Sequence, residues 1–146
     1  MKAGFSHIQF NVDLKNFNFY HELLTFLGWQ ILHQSDNMLG CGYLDGSSLW
    51  FTNPIRQVEN DYDGSGMNHI AFQTESITDV DETVTFLIAK NIPALFDTPR
   101  HRPEFSIGPD DTYYQVMFET SDKLIAPLRA TQNDIRDCSG RIKLEL

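Results

Sequence analysis

The same pattern of apolar and polar residues occurs twice along this chain. Residues 5–12, with the sequence FSHIQFNV, alternate apolar and polar side chains, and residues 67–74, MNHIAFQT, do the same. Both segments contain His-Ile-x-Phe, which places His7 and His69 at equivalent positions. Alternation with a period of two is typical of a half-buried strand. We predict two such strands, each with Ile and Phe on one face and His on the other.

A helix is predicted after each of these strands. Residues 14–27 and residues 76–90 both place apolar side chains at intervals of three and four, which gives one apolar helix face. Asp13 is positioned to cap the first helix. In the second helix, Thr78 and Asp81 have the spacing of a capping box.

Short runs of strand character follow each helix. In the first half they cover residues 30–33, 38–44 and 48–52, with a hairpin turn at Asp45-Gly46. In the second half they cover residues 93–96 and 113–119, and the tail after residue 120 is irregular. The order strand-helix-strand-strand-strand therefore occurs twice.

The duplication predicts the domain organisation. Module one covers about residues 3–53, residues 54–66 form a linker, and module two covers about residues 67–146. One βαβββ module is too small to bury both its sheet and its helix, so we expect the two to pair. The predicted fold is one α+β domain over residues 1–146. Its two tandem modules would form a curved, mostly antiparallel, eight-stranded open barrel with outer helices.

Composition narrows the class of partner. Apolar residues make up 41% of the chain and include eleven Phe, which is enough for a buried core. The net charge of −9 argues against nucleic acid, because phosphate binding needs clustered Lys and Arg. The N-terminus has no signal sequence, and no apolar run approaches the roughly 18 residues of a membrane span. We expect a cytoplasmic protein with a small-molecule partner and no membrane or nucleic-acid partner.

Several kinds of chemistry have no support in the sequence. There is no Gly-rich phosphate loop and no GxSxG elbow, so nucleotide binding and a serine nucleophile are not indicated. The two cysteines, Cys41 and Cys138, match no CxxC spacing, and we expect reduced thiols.

The paired histidines carry the most chemical information. If the two modules pair, His7 and His69 come to related positions on one concave face. Neutral imidazoles that converge in a pocket are a common basis for a transition-metal site, and one carboxylate would complete a two-His, one-carboxylate set. The alternative is that the pair is a remnant of the duplication with a packing role only.

Four segments together identify a family resemblance: Ser6-His7-Ile8, residues 19–28, residues 68–72 (NHIAF) and residues 113–119 (YYQVMFE). In this order they resemble the vicinal oxygen chelate superfamily, which includes glyoxalase I, bleomycin-resistance proteins, fosfomycin-resistance enzymes and extradiol dioxygenases. The resemblance extends over roughly residues 3–120. It implies paired βαβββ modules and, in active members, one divalent metal ion that binds vicinal oxygens of a substrate or intermediate.

The resemblance also implies which residues hold the metal. His7 and His69 correspond to the first-strand histidines of the family. Trp50 stands where glyoxalase I has a Glu on the last strand of module one, so four-ligand coordination is not expected. The third ligand should be a Glu on the last strand of module two, but Pro127 lies near that place.

Two interpretations of the last strand remain open. In the first, residues 121–139 are an insertion, residues 141–146 form the strand, and Glu145 is the third ligand. In the second, the tail has diverged, and the site either lacks its carboxylate or uses Glu119.

Four residues are predicted to contact a ligand: Gln9, Trp50, Arg102 and Tyr114. Gln9 shares a strand face with His7. Trp50 would offer a flat apolar wall, unless it is a core residue beneath the sheet. Arg102 belongs to the one dense basic segment, residues 99–105, and would meet an anionic group unless that loop is simply solvated. Tyr114 lies in the strand that resembles the family.

Two functions follow from these observations. The first is a metal-dependent, glyoxalase- or dioxygenase-like enzyme with a lyase, isomerase or transferase reaction. One divalent ion (Zn²⁺, Ni²⁺, Mn²⁺ or Fe²⁺) on His7, His69 and Glu145 would act as a Lewis acid on a small oxygenated substrate. The second is a metal-free protein that sequesters a small aromatic compound, as bleomycin-resistance proteins do, with the net charge favouring a cation. No catalytic residue is assigned, and a homodimer is expected in either case.

Overall fold

The repeated βαβββ pattern produces two four-stranded sheets, one in each half of the chain. The computed structural model of the protein describes residues 2–106, 108 and 112–130. The chain divides into two compact units, Met1–Glu59 and Asn60–Leu146, and the division falls inside the predicted linker. Within the described residues, each unit has one mixed sheet and one α-helix, as the α+β prediction requires.

The first unit contains strands β1 (His7–Asn11), β2 (Gln30–Ser35), β3 (Met38–Gly42) and β4 (Ser48–Thr52). Helix α1 (Phe17–Phe26) follows a 3-10 turn at Leu14–Asn16. The strand order is β1-β4-β3-β2, with β1 parallel to β4 and the other pairs antiparallel. The predicted helix thus begins with a tighter turn, in which the Asp13 carboxylate accepts a hydrogen bond from the Lys15 amide at 3.1 Å.

The core of the first unit is built on stacked aromatic rings. Phe51 on β4 stacks against Phe10 on β1, with ring centroids 5.3 Å apart, and against Tyr20 on α1 at 4.5 Å. All three are buried, whereas His7 and Gln9 are exposed on the other face of β1. The two faces that the alternation predicted are therefore confirmed for this strand.

The second unit repeats this topology. Its strands are β5 (Phe72–Thr74), β6 (Arg100–His101), β7 (Tyr114–Glu119) and β8 (Ile125–Ala130), and its helix is α2 (Ile77–Ala89). A 3-10 turn at Pro103–Phe105 lies between β6 and β7. The strand order is β5-β8-β7-β6, with the parallel pair again between the first and last strands.

Two local predictions in the second unit are wrong. The capping box of α2 is formed by Ser76 and Asp79 rather than by Thr78 and Asp81, so the cap lies two residues earlier than the motif suggested. Residues 93–96 do not form a strand, and only Ala94 makes an isolated bridge, to Phe118. Phe96 has a positive φ of 57°, a conformation that breaks a strand.

The last strand of the second unit is Ile125–Ala130. It pairs with β5 on one side and with β7 on the other, so both neighbours that the family strand requires are already present. The position that one interpretation gave to residues 141–146 is therefore taken by residues 125–130. Glu145 itself lies outside the described residues.

Pro127 explains why the two units differ at this strand. The Ile70 amide donates to the Ile125 carbonyl at 3.1 Å, so the backbone of alternate β8 residues, Pro127 included, faces β5. Proline has no N–H to donate. The pairing of β8 with the first strand of its unit is accordingly interrupted: it begins with an isolated His69–Ile125 bridge and resumes at β5. In the first unit, by contrast, β1 pairs continuously with β4.

Within the described part of the chain, no helix is long and apolar enough to cross a membrane.

Phe118 should be essential for the stability of the second unit, because its side chain is fully buried at 0% exposure. We expect Phe118→Ala to lower the free energy of unfolding by about 3–5 kcal/mol, from the lost burial and the cavity left behind. Phe96→Ala is the matched control, since that ring is 56% exposed, and it should change stability little. Urea unfolding measures both, and equal effects would contradict the assigned core.

Candidate functional site

The first unit presents a polar and aromatic surface on the sheet face opposite α1. The register places Gln9 beside Trp50, Trp50 beside Gly40, and Gly40 beside His33, in one row across all four strands. Leu49 and Phe51, the neighbours of Trp50 along β4, are buried on the α1 side. Trp50 therefore lies on the same face as His7 and Gln9.

Trp50 is held in place by a glycine and a serine. A Cβ atom at Gly40 would lie 2.6 Å from Trp50 Cζ3, so the indole ring rests directly on the glycine backbone. The indole Nε1–H donates to Ser48 Oγ at 3.0 Å, which satisfies its only polar group. Trp50 remains partly exposed, so this ring is an oriented apolar surface rather than a core residue.

His33 belongs to this surface, although no role was predicted for it. Its ring centroid is 6.3 Å from that of Trp50. The register of β2 shifts between Ile31 and His33, and this bulge brings His33 opposite Gly40. The signal in the sequence was the glycine pair Gly40 and Gly42 within a strand, which indicates close approach of large side chains.

In the second unit, His69 is oriented by its neighbour. Its Nδ1 lies 2.8 Å from Asn68 Oδ1. Asn68 Nδ2 donates to the Tyr62 carbonyl at 2.8 Å, so Oδ1 is left to accept, and His69 Nδ1 must carry the hydrogen. With the hydrogen on Nδ1, Nε2 is the ring nitrogen that can offer a lone pair to a metal or a donor.

His7 has a similar neighbour in the first unit. Ser6 Oγ lies 3.3 Å from His7 Nδ1, so in both repeats the residue before the histidine contacts the same ring nitrogen. Both imidazoles are exposed. A bound Nδ1 and an available Nε2 are the arrangement that metal-binding histidines commonly have.

No third ligand is found where the resemblance requires one. Trp50 lies two residues after Ser48, the strand partner of His7. Pro127 lies two residues after Ile125, the strand partner of His69. The two residues therefore have equivalent positions beside the first strand of each unit. Neither residue can bind a metal through its side chain. Within residues 2–106, 108 and 112–130, no group of three His, Cys, Asp or Glu side chains is arranged to hold a metal ion. The described residues thus do not fit a complete two-His, one-carboxylate site.

Glu119, the other predicted carboxylate, has partners of its own. Its Oε1 accepts a hydrogen bond from Lys123 Nζ at 2.8 Å. The negative charge of Glu119 and its hydrogen bond to the Tyr62 hydroxyl raise the pKa of that tyrosine. The carboxylate therefore stabilises the turn between β7 and β8.

Tyr114 and Arg102 also have partners within the second unit. The Tyr114 hydroxyl donates to Asp81 Oδ1 at 2.9 Å, which places this side chain on the α2 face of the sheet. Burial and the Asp81 hydrogen bond raise the pKa of Tyr114. Arg102 forms an ion pair with Glu104 and lies over the Phe105 ring at 4.7 Å.

Cys41 is fully buried on β3. Burial raises the pKa of its thiol to about 11, so the reactive thiolate is scarce at neutral pH. Cys41 is therefore a packing residue and not a nucleophile. Cys138 lies outside the described residues.

Solved structures share this architecture. A proposed glyoxalase from Bacillus halodurans superposes with a TM-score of 0.72 at 23% identity, over 86% of this chain and 94% of that one. A glyoxalase/bleomycin resistance protein from Albidiferax ferrireducens gives a TM-score of 0.68 at 18% identity, over 86% and 98%. A glyoxalase/dioxygenase from Nostoc punctiforme gives 0.66 at 18% identity, over 88% and 90%.

No protein-family model and no curated protein matches the sequence. The structural likeness, at these identities, defines the fold. The protein has the α+β fold of the glyoxalase/bleomycin resistance/dioxygenase proteins, as the resemblance to the vicinal oxygen chelate superfamily predicted.

Gly40→Ala should displace the Trp50 ring, because the added methyl group would overlap it. We expect a changed Nε1–H chemical shift for Trp50 in the NMR spectrum. Gly42→Ala is the matched control, since its methyl group would instead meet Leu32. An unchanged Trp50 signal in Gly40→Ala would contradict the described packing.

Cys41 should resist alkylation in the folded protein. In a Cys138→Ser background, iodoacetamide at pH 8 should modify native Cys41 at least ~100-fold more slowly than the urea-unfolded chain, because the pKa is raised and the side chain is buried. The reaction should accelerate as the pH rises toward 11. Similar rates in native and unfolded protein would show that the thiol is accessible.

Proposed function

We propose that the protein binds a planar, apolar or aromatic small molecule, with Trp50 as the main contact. The observation that carries this proposal is the fixed indole of Trp50, which is partly exposed on the sheet face opposite α1. A ring held by Gly40 and Ser48 loses little conformational freedom when a ligand stacks on it. Stacking on a pre-oriented aromatic ring adds roughly 0.5–1.5 kcal/mol to the burial of apolar area.

The surroundings of the ring support a binding role. Gln9 next to it is exposed and offers both a donor and an acceptor, and His33 adds a second flat ring at its other side. A mostly apolar contact with a few polar groups is the usual composition of a small-molecule site. Bleomycin-resistance proteins, named among the structural neighbours, are the corresponding members of this fold.

A second candidate function is the metal-dependent enzyme predicted from the sequence. It is favoured by one observation, the repeated contact of Ser6 or Asn68 with the Nδ1 of the following histidine. In this candidate, His7 and His69 would contribute two ligands to one divalent ion, and the ion would supply Lewis-acid chemistry to an oxygenated substrate. The described residues provide the two imidazoles but no third ligand, so we derive no reaction step from it.

Trp50→Ala should weaken the binding of a planar probe such as 2-naphthol by about tenfold or more, because the stacking surface is lost. Trp50→Phe should retain most of the affinity. Trp29→Ala is the matched control: its ring packs at a tilt against Tyr43, with centroids 5.1 Å apart, and Trp29 is not in the row of Gln9, Trp50, Gly40 and His33, so the variant should bind like the unmodified protein. Titration calorimetry measures all four proteins.

Two further variants, His7→Ala and His69→Ala, separate the two candidate functions. If the protein is a metal-free binder, His7→Ala should leave 2-naphthol binding unchanged, and elemental analysis should find no stoichiometric metal. About one divalent ion per chain, lost in His7→Ala and in His69→Ala, would instead support the metal-dependent enzyme. Unchanged 2-naphthol binding in Trp50→Ala would contradict the proposed contact.

A further inference from the structure

Four polar side chains form one row across the sheet of the second unit. Gln73 on β5 is opposite Arg129 on β8, Arg129 is opposite Gln115 on β7, and Gln115 is opposite Arg100 on β6. Side chains that are cross-strand neighbours point to the same face, and adjacent strands are about 4.8 Å apart. We call these four residues the arginine row; in it, two guanidinium groups flank one carboxamide.

The arginine row lies on the sheet face opposite α2. The residues that alternate with it along β7, Tyr114 and Val116, face the helix: Tyr114 bonds Asp81 of α2, and Val116 is fully buried. Arg129, by contrast, is only partly buried, and Arg100 is exposed on the edge strand. His69, which precedes β5 and bridges Ile125 of β8, is also exposed.

Arg129 is already oriented. Its Nη2 donates to Gln73 Oε1 at 3.1 Å, and its Cζ lies 5.1 Å from the centroid of the Tyr113 ring. A guanidinium has five N–H donors, and the Gln73 hydrogen bond uses one. Because the group is held from two sides, an anion that binds it need not order a flexible side chain.

Gln115 gives a second reason to expect a ligand here. Its side chain is buried, with 4% exposure, and none of the hydrogen bonds found among the described residues involves its carboxamide. Among the described residues, Ser106 Oγ is the fully enclosed side-chain oxygen or nitrogen without a partner, so the Gln115 carboxamide itself still reaches the surface, and its N–H₂ can donate to a ligand oxygen there. Its position between two arginines makes that oxygen an anionic one.

The acid beside the row is neutralised by a different arginine. Glu104 pairs with Arg102, and this hydrogen bond is the main reason that the pKa of Glu104 is lowered; Arg100 contributes a weaker attraction. Arg100 makes no ion pair among the residues that the structure describes. The cation predicted to meet an anion, Arg102, therefore already has its partner, and Arg100 and Arg129 are the better placed.

We propose that the arginine row binds the carboxylate or phosphate group of a small-molecule ligand. Guanidinium groups bind both oxyanions through paired N–H donors. The inference goes beyond the proposed function, since it concerns a sheet face of the second unit and does not depend on the Trp50 contact. It also changes an expectation from composition: the net charge of −9 favoured a cationic ligand, whereas the local charge of this face favours an anion.

The test uses the full chain and two probes, benzoate for a carboxylate and inorganic phosphate for a phosphate. NMR follows the side-chain amide signal of Gln115 and the Nε–H signal of Arg129 during each titration. We expect saturable shifts of both signals with at least one probe. The probe that saturates assigns the anion: benzoate alone indicates a carboxylate ligand, phosphate alone a phosphate ligand, and both indicate a general oxyanion site.

Charge-removing variants locate the binding. Arg129→Gln and Arg100→Gln should each weaken the affinity for that probe by about tenfold or more. Because Arg100 is exposed, its variant tests the site without disturbing the fold. Arg56→Gln removes the same charge from an exposed position in the first unit and should leave the affinity unchanged. No saturable shift with either probe, or equal losses in all three variants, would overturn the proposal.

The two proposals can fail separately. Trp50→Ala should leave benzoate and phosphate binding unchanged, because neither small anion needs the indole ring. The arginine variants should in turn leave 2-naphthol binding unchanged. Loss of anion binding in Trp50→Ala would contradict the assignment to the arginine row.

Discussion

The structure depends on one pairing, the parallel contact between the first and last strands of each unit. This pair brings distant residues into register, His7 beside Ser48, 41 positions away, in one unit and His69 beside Ile125, 56 positions away, in the other. It decides which side chain stands next to the first strand on the face away from the helix. In the first unit that side chain is Trp50, and in the second it is Pro127. The fold is thus kept in both units, while the chemistry at this position differs completely.

The duplication and the alternation were sufficient to predict the fold class. Strand β4 was predicted at its observed bounds, Ser48–Thr52, and the faces of β1 follow from the period-two pattern. These signals are local, because they depend on side-chain direction along a single strand. The same reasoning predicted two βαβββ modules, which the two sheets confirm.

The last strand could not be identified from local signals. Ile125-Ala126-Pro127-Leu128 contains a proline, which argues against a central strand, and residues 141–146 alternate more regularly. The structure accommodates Pro127 because its missing N–H faces a stretch where β5 is interrupted. The candidate site was limited in the same way: the arginine row exists only once four strands are in register, and no spacing along the chain reveals it. His33 likewise depends on a bulge that shifts the register of β2.

That bulge has a second consequence, for the behaviour of the protein at high concentration. β2 is an edge strand, all six of its residues are exposed, and they include Ile31 and Leu32. An exposed apolar edge is a template on which another chain can add a strand. The irregularity between Ile31 and His33 breaks the even spacing of backbone donors and acceptors that such an addition needs. The feature that brings His33 to Trp50 thereby also discourages aggregation through this edge.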